Sequence, residues 1–148
     1  MDNQQPKTNE TDVAWLAGFI DGEGCVDFQK ASHKGLRNPR WIPRIRICNT
    51  DFATLIEVVN ILRGMEQAHW IDKRQPRNPF HKPSWNLAIQ GMKRLPPFIR
   101  AVLPYLRTKK TQAETMLRWI EGRMAIGRKD LETPELAALR EHVKRLRD

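Results

Sequence analysis

Between Val13 and Ile20 the chain has no polar residue, and Asp21-Gly22-Glu23-Gly24 follows at once. A helix that is apolar all round must be covered all round. Asp12 is placed to cap such a helix at its start. Val13, Leu16, Ala17 and Ile20 fall on one face by the i, i+3, i+4, i+7 rule, and Trp15 and Phe19 on another. Gly18 in mid-helix costs about 1 kcal/mol relative to alanine, and its expected use, with Ala17, is to admit a second helix at close range. Val13, Leu16, Ala17, Gly18 and Ile20 are therefore the expected dimer interface. Gly22 and Gly24 are expected to free the backbone for a sharp turn, which places Asp21 and Glu23 at the foot of the helix pair. A two-fold axis there would bring two Glu23 side chains together, and such a pair needs cations between them.

The 26 Lys and Arg residues outnumber the 17 acids for a net charge of +9. That balance points to a polyanion, with nucleic acid ahead of a membrane surface, since no run approaches membrane-spanning length and no signal-peptide pattern opens the chain. Two cysteines, Cys25 and Cys48, are too few for a disulfide framework and read as free thiols of an intracellular protein of cytoplasm, nucleoid or organelle. At 148 residues the chain makes one domain. Residues 1–10 are polar and expected to be flexible, and 11–148 hold the domain. The charge is concentrated: Lys30 to Lys82 carries eleven basic residues against four acids, a net +7.

That basic stretch also holds the predicted strands. Cys25 to Lys30 alternates, with Val26 and Phe28 opposed to Cys25, Asp27 and Gln29. After a loop with Gly35 and Asn38-Pro39, Arg40 to Cys48 alternates again, with Trp41, Ile45 and Ile47 on one side and Arg40, Ile42, Arg44 and Arg46 on the other. Asn49-Thr50-Asp51 then offers caps for a helix with Phe52, Leu55, Ile56, Val59 and Leu62 on one face, closed by Gly64. A second strand pair follows, Ala68 to Arg74 and Trp85 to Gln90, with Asn86, Ala88 and Gln90 looking outward. Between them Gln75 to Ser84 forms a polar tip with Arg77 and Lys82. Pro96-Pro97 starts a short helix, Pro104 breaks it, a longer helix begins at Thr108 or Thr111, and Thr133-Pro134 opens a last one.

The order gives an α+β fold, an αββαββα core with an antiparallel sheet and extra C-terminal helices. Such a sheet hides one face and leaves the other wet. Asp27, Gln29, Arg40, Ile42, Arg44, Arg46, Asp72, Arg74, Asn86, Ala88 and Gln90 lie on the wet face, where arginine suits guanine and Asn or Gln suits adenine in a major groove. Lys34, Arg77 and Lys82, in loops, are expected to touch the phosphate backbone.

Leu16 to Gly24, with this element order and length, resembles the LAGLIDADG motif of homing endonucleases of the single-motif, homodimeric subgroup, over residues 12 to about 125. Phe19, Gly22 and Glu23 depart from the namesake letters; Glu23 keeps a carboxylate, one methylene further out. The resemblance implies an intron-encoded enzyme making a double-strand break in a long, nearly palindromic double-stranded DNA site, with Mg2+ (or Mn2+), no small-molecule cofactor and no membrane. It implies Glu23 as the metal-binding catalytic acid with the carbonyl of Gly22 beside it, and Asp21 as support for the helix end. Asn49 would order the water network, and Lys109 would face the scissile phosphate. An alternative is a non-cleaving nucleic-acid binder on the same fold, such as an intron RNA maturase or a DNA-binding regulator. A basic structural protein would fit the charge but not the helix ending in Asp-Gly-Glu-Gly.

Overall fold

The computed structural model describes residues 8–31, 40–127 and 130–147. Helix α1 (Glu10–Glu23) leads into β1 (Gly24–Ala31) and β2 (Arg40–Asn49), then α2 (Phe52–Gly64), β3 (Trp70–Arg74), β4 (Ser84–Gln90) and α3 (Leu95–Val102). A turn of 3₁₀-helix at Leu103–Tyr105, α4 (Lys110–Met124) and α5 (Pro134–Arg147) complete it. The order is the α+β pattern expected, and the sheet is antiparallel in the order β1-β2-β4-β3. The loop expected around Gly35 and Asn38-Pro39, with Lys34, lies outside the described residues.

The core forms because the strands alternate. Val26, Ile45, Ile47, Leu87 and Ile89 turn from the sheet onto Leu16, Ala17 and Ile20 of α1, Leu55 and Leu62 of α2, and Phe98 and Ile99 of α3, all at most 1% exposed. Full burial of each large side chain contributes about 1.5–3 kcal/mol. Trp119 of α4 extends this layer edge-on to Phe28, with ring centroids 4.8 Å apart.

Four local expectations change. The cap of α1 is Asn9, whose side chain accepts from the Asp12 N–H while the Asp12 carboxylate takes the Asn9 N–H, so Asp12 is the third residue of a capping box. Thr8 donates its hydroxyl to the Ile61 carbonyl at 2.6 Å, so the last residues of the supposedly flexible segment are tied down. In α2, Phe52 and Ile56 are exposed while Val58 and Ile61 take the inner positions. Their predicted stripe was rotated because the helix is buried through a run of apolar pairs, not a single ridge. Finally α1 runs to Glu23, and the glycines do not bend it through unusual backbone angles: Gly24 has φ −86° and ψ 165°, and among described residues Gly91 is the glycine with positive φ. What Gly24 supplies is the missing side chain, because a Cβ there would stand 2.8 Å from the Ile20 carbonyl oxygen.

The C-terminal helix is fixed by a compact polar joint. Thr133 caps it through the Leu136 N–H at 3.2 Å. Glu132 accepts from the Trp119 indole at 2.9 Å and from Arg140 at 2.9–3.3 Å, and Arg140 lies over the Trp41 ring at 3.9 Å. Leu136 and Val143 are buried beside it, and α5 comes to rest along β1.

Candidate acidic helix end and nucleic-acid interface

Asp21 is where α1 meets the segment before α4. Its carboxylate accepts the backbone N–H of Arg107 at 2.8 Å and of Lys109 at 3.0 Å. Its carbonyl accepts Lys109 Nζ at 2.6 Å and the Thr108 hydroxyl at 3.4 Å. Burial alone would raise the Asp21 pKa, but hydrogen bonds from Lys109, Arg107 and Thr108 outweigh it and hold the carboxyl below the usual aspartate range. Tyr105 ties the same segment to the start of α1 by donating to Glu10 Oε1 at 2.7 Å.

Two residues on, Gly22 and Glu23 are exposed. Gly24 pairs with Ile47, so Glu23 stands where β1 begins and where Cys48 and Asn49 leave β2. Asn49 ends that strand instead of opening α2, which Asp51 caps through the Ala53 N–H at 3.1 Å. The Asn49 side-chain oxygen accepts the Asp51 N–H at 2.8 Å, leaving its amide hydrogens to other partners. Asp21, Gly22, Glu23, Asn49 and Lys109 therefore belong to the same two junctions, one at the foot of α1 and one at the adjoining sheet end. Lys109 differs from expectation in detail, since its ammonium already bonds the foot of α1 with one of three donors.

The donor set offers oxygen ligands. Among described residues no three His, Cys, Asp or Glu side chains group as a metal site, and Asp21 is spent on backbone N–H groups. Glu23 is exposed, and its carboxylate, with the Gly22 carbonyl next to it, could take a hard divalent cation. Within one chain that set is incomplete, and a second copy of the same helix end would double it.

The face of the sheet away from the core carries the residues expected there. The strand register lines up Asp27 with Arg44 and Gln90, and Cys25 with Arg46, Ala88 and Trp70. Cys48, Asn86 and Asp72 form a third row, while Gln29 with Ile42 and Ala31 with Arg40 run toward one end and Ser84 with Arg74 toward the other. Gln29, Arg40, Asp72, Arg74 and, on the hairpin tip, Arg77 are exposed.

The centre is not wet in the way expected. Asp27 is 5% exposed, Asn86 3% and Ala88 1%. Neighbours in the same rows close over them: Asn86 accepts from Cys48 Sγ at 3.2 Å, and Ala88 lies between Arg46 and Trp70. Asp27 is covered by Arg44 and Arg46, each with an N–O distance of 2.6 Å. Burial lowers the Arg46 pKa, but the hydrogen bond and charge of Asp27 outweigh this and raise it. Asp27, Asn86 and Ala88 are thus corrected from exposed readers to a buried floor. The signal that was available, an Asp alternating on one strand beside Arg-x-Arg on the next, needs the register to become visible.

The α1 interface is also redistributed. Leu16, Ala17 and Ile20 are 0% exposed within the single chain, so they cover the chain's own core and are withdrawn as partner contacts. Val13 is half-buried against that core. The open side holds Trp15, stacked on Phe19 with centroids 5.3 Å apart, together with Gly18 and Gly22. Trp15 is 44% exposed and Ile56, on α2, 38%. A Cβ at Gly18 or Gly22 would meet nothing within 4 Å, so the fold of one chain gives no reason for glycine there. No helix among the described residues is long and apolar enough to cross a membrane.

No family model matches the sequence, and no curated protein is significantly similar to it. Solved structures do match. The homing endonuclease I-CvuI, in complex with its target in the presence of calcium, superposes with a TM-score of 0.72 at 22% identity over 94% of this chain and 83% of that one. The group I intron-encoded homing endonuclease I-CeuI, complexed with DNA, gives 0.70 at 13% identity, covering 95% and 69%. The LAGLIDADG homing endonuclease I-GzeII, also with a DNA target, gives 0.61 at 18% identity, covering 95% of this chain but 44% of its own. The fold of this chain is that of the LAGLIDADG homing endonucleases.

Proposed function

We propose that this chain, folded as the LAGLIDADG homing endonucleases are, is itself a site-specific DNA endonuclease that works as a homodimer and cuts both strands of a long, nearly palindromic site. The observation that carries this reading is Glu23, a solvent-facing carboxylate at the foot of a helix whose open side is glycine. A second copy laid along Gly18 and Gly22 would set two Glu23 carboxylates near each other. Trp15, Phe19 and Ile56 would provide the apolar rim of that contact. The coverage of I-GzeII supports a site needing two copies of this fold, since one copy accounts for under half of that chain.

Each Glu23, with the Gly22 carbonyl, would hold a divalent ion, Mg2+ or Mn2+ by its oxygen donors. Such an ion, when bound, makes water a nucleophile near neutral pH and stabilises the leaving oxygen. The chain's residues do the rest. Asp21 fixes the helix end so that Glu23 points out of the fold, Lys109 has two ammonium hydrogens left to meet a phosphate, and the amide of Asn49 can orient a water at the neighbouring sheet end. Gln29, Arg40, Arg44, Arg46 and Arg74 meet base edges, whereas Arg77 and Lys82 meet phosphates.

The test is cleavage of a randomised plasmid library with magnesium, with EDTA, and by Glu23→Gln. Loss of an ion-held transition-state charge is worth several kcal/mol, so Glu23→Gln should cut at least about 1,000-fold more slowly while still binding. Full cutting by that variant sinks Glu23 as the acid that holds the ion; binding without cutting by the unmodified chain would make it a regulator or maturase. Assembly is checked separately by light scattering. Gly18→Leu has room in the single chain, so it should give a folded monomer where the unmodified chain is a dimer at micromolar concentration.

A further inference from the structure

The buried carboxylate on the sheet face has a geometry that the DNA-reading proposal does not use. Asp27 Oδ1 accepts Arg44 Nε at 2.6 Å and Oδ2 accepts Arg44 Nη2 at 3.2 Å. The same Oδ2 accepts Arg46 Nη2 at 2.6 Å, and Arg147 of α5 stands 3.9 Å away. A carboxylate placed to face a polyanion repels it, yet this one is 5% exposed beneath arginine side chains that are 18% and 20% exposed. Its negative charge is spent inward. Arg44 is gripped from the side, through Nε and Nη2, and this grip consumes two of its five N–H donors. The end of the guanidinium, where Nη1 and Nη2 point together, keeps N–H hydrogens that Asp27 does not take. An end-on fork of such hydrogens is what guanine O6 and N7 require in a major groove.

Resting on the DNA-reading assignment above, we propose that Asp27 is a specificity-positioning residue that holds the Arg44 fork ready for one guanine in each half-site and keeps Arg46 in the neighbouring row. A free arginine side chain has many rotamers and loses them on binding; one already clamped has fewer to lose. It also resists turning aside to a nearby phosphate, so the clamp trades general attraction for discrimination. The rows support the assignment. Arg44 is flanked by Asp27 on one side and Gln90 on the other, and Gln90 Oε1 and Arg46 Nε are both buried without a hydrogen-bond partner. Arg147 joins the C-terminal helix to the same carboxylate, which connects α5 to the reading surface by charge as well as by packing.

The experiment compares the unmodified full chain, Asp27→Asn and Arg44→Lys for binding to a duplex library randomised across both half-sites, with bound sequences read out position by position and folding followed by thermal melting. Asp27→Asn keeps the side-chain shape and removes the charge; Arg44→Lys keeps the charge and removes the fork. Both should lose guanine preference at the same position of each half-site, by about tenfold, with preferences elsewhere retained. Asp27→Asn should bind random DNA at least as tightly as before. An unaltered preference profile with a lowered melting temperature would make Asp27 a purely structural ion pair and overturn the inference. Loss of preference at different positions in the two variants would overturn it too. If the unmodified chain enriched no sequence at all, it is the DNA-reading assignment that fails.

Discussion

The foot of α1 and the open face of the sheet both carry buried or half-buried aspartates, and the two are held by different parts of the chain. Asp21 is held by backbone N–H groups of Arg107 and Lys109, and three residues further on Gly24 stands where a side chain would strike the Ile20 carbonyl. Asp27 is held by side chains alone, the guanidinium groups of Arg44, Arg46 and Arg147. Backbone cannot be exchanged by point substitution, whereas arginines can. The proposed chemistry is therefore built on fixed parts and the proposed readout on replaceable ones, so a chain like this can change its target sequence without rebuilding its cutting centre.

The hardest blow to that contrast falls at the foot of the helix. Gly24→Ala puts a methyl group 2.8 Å from the Ile20 carbonyl oxygen, and backbone must move to admit it. A loss of about 1–3 kcal/mol is expected, read as a lower urea midpoint with an unchanged slope. An alanine tolerated without loss would mean that the junction is as adaptable as the sheet face. On that face, Arg46→Ala should cost about 1–3 kcal/mol of discrimination at a few base pairs, leaving the remaining positions intact. Affinity falling equally for every sequence in a library would show that the face attracts but does not read.

A finer test uses pH. The Asp21 carboxyl is held below its ordinary range, so the folded chain prefers it ionised; its contribution to stability is present above the unfolded aspartate pKa and fades as pH falls through the folded value. The stability difference between the unmodified chain and Asp21→Asn should accordingly shrink on acidification through and below the usual aspartate range, and a gap that stays constant through that fall in pH would remove the backbone clamp from the argument. The smallest effect belongs to the hairpin tip. Arg77→Ala should weaken DNA binding to all sequences alike and reduce the salt slope by about one unit, and any sequence-selective loss would extend the reading surface beyond the strands.

Element order and the sheet face were legible in the sequence because alternation and capping residues are local signals. Arg40, Arg44 and Arg46 follow from spacing alone. The use made of the face was not legible, because Asp27 and its arginines are 17 and 19 residues apart and meet only through register. The same limit affects α1. An unbroken apolar run tells that the helix needs cover on every side, but it has no polar residue to mark which side the core takes, and so the spacing alone points Leu16, Ala17 and Ile20 to a partner although they pack at home. Trp15 was the residue to watch, since a large aromatic beside a bare glycine leaves room for company. Lys109 came from the family resemblance alone, as a cation facing the scissile phosphate, and nothing local in the sequence marks it as one that bonds the carbonyl of Asp21.

The resting place of α5 along β1 has a consequence for how the protein behaves in a crowd. In a sheet ordered β1-β2-β4-β3, the outer strands are β1 and β3, and each outer strand offers a row of peptide groups to which a stranger's strand can add. The eight-residue β1 is the longer invitation, and a helix lies against it; β3 is five residues long and carries Lys73 and Arg74, which repel a copy of themselves. On the proposed function the protein would spend much of its life at high local concentration on a long polymer, beside other copies. With its long border shielded and its short one charged, it can gather there without zippering into fibrils.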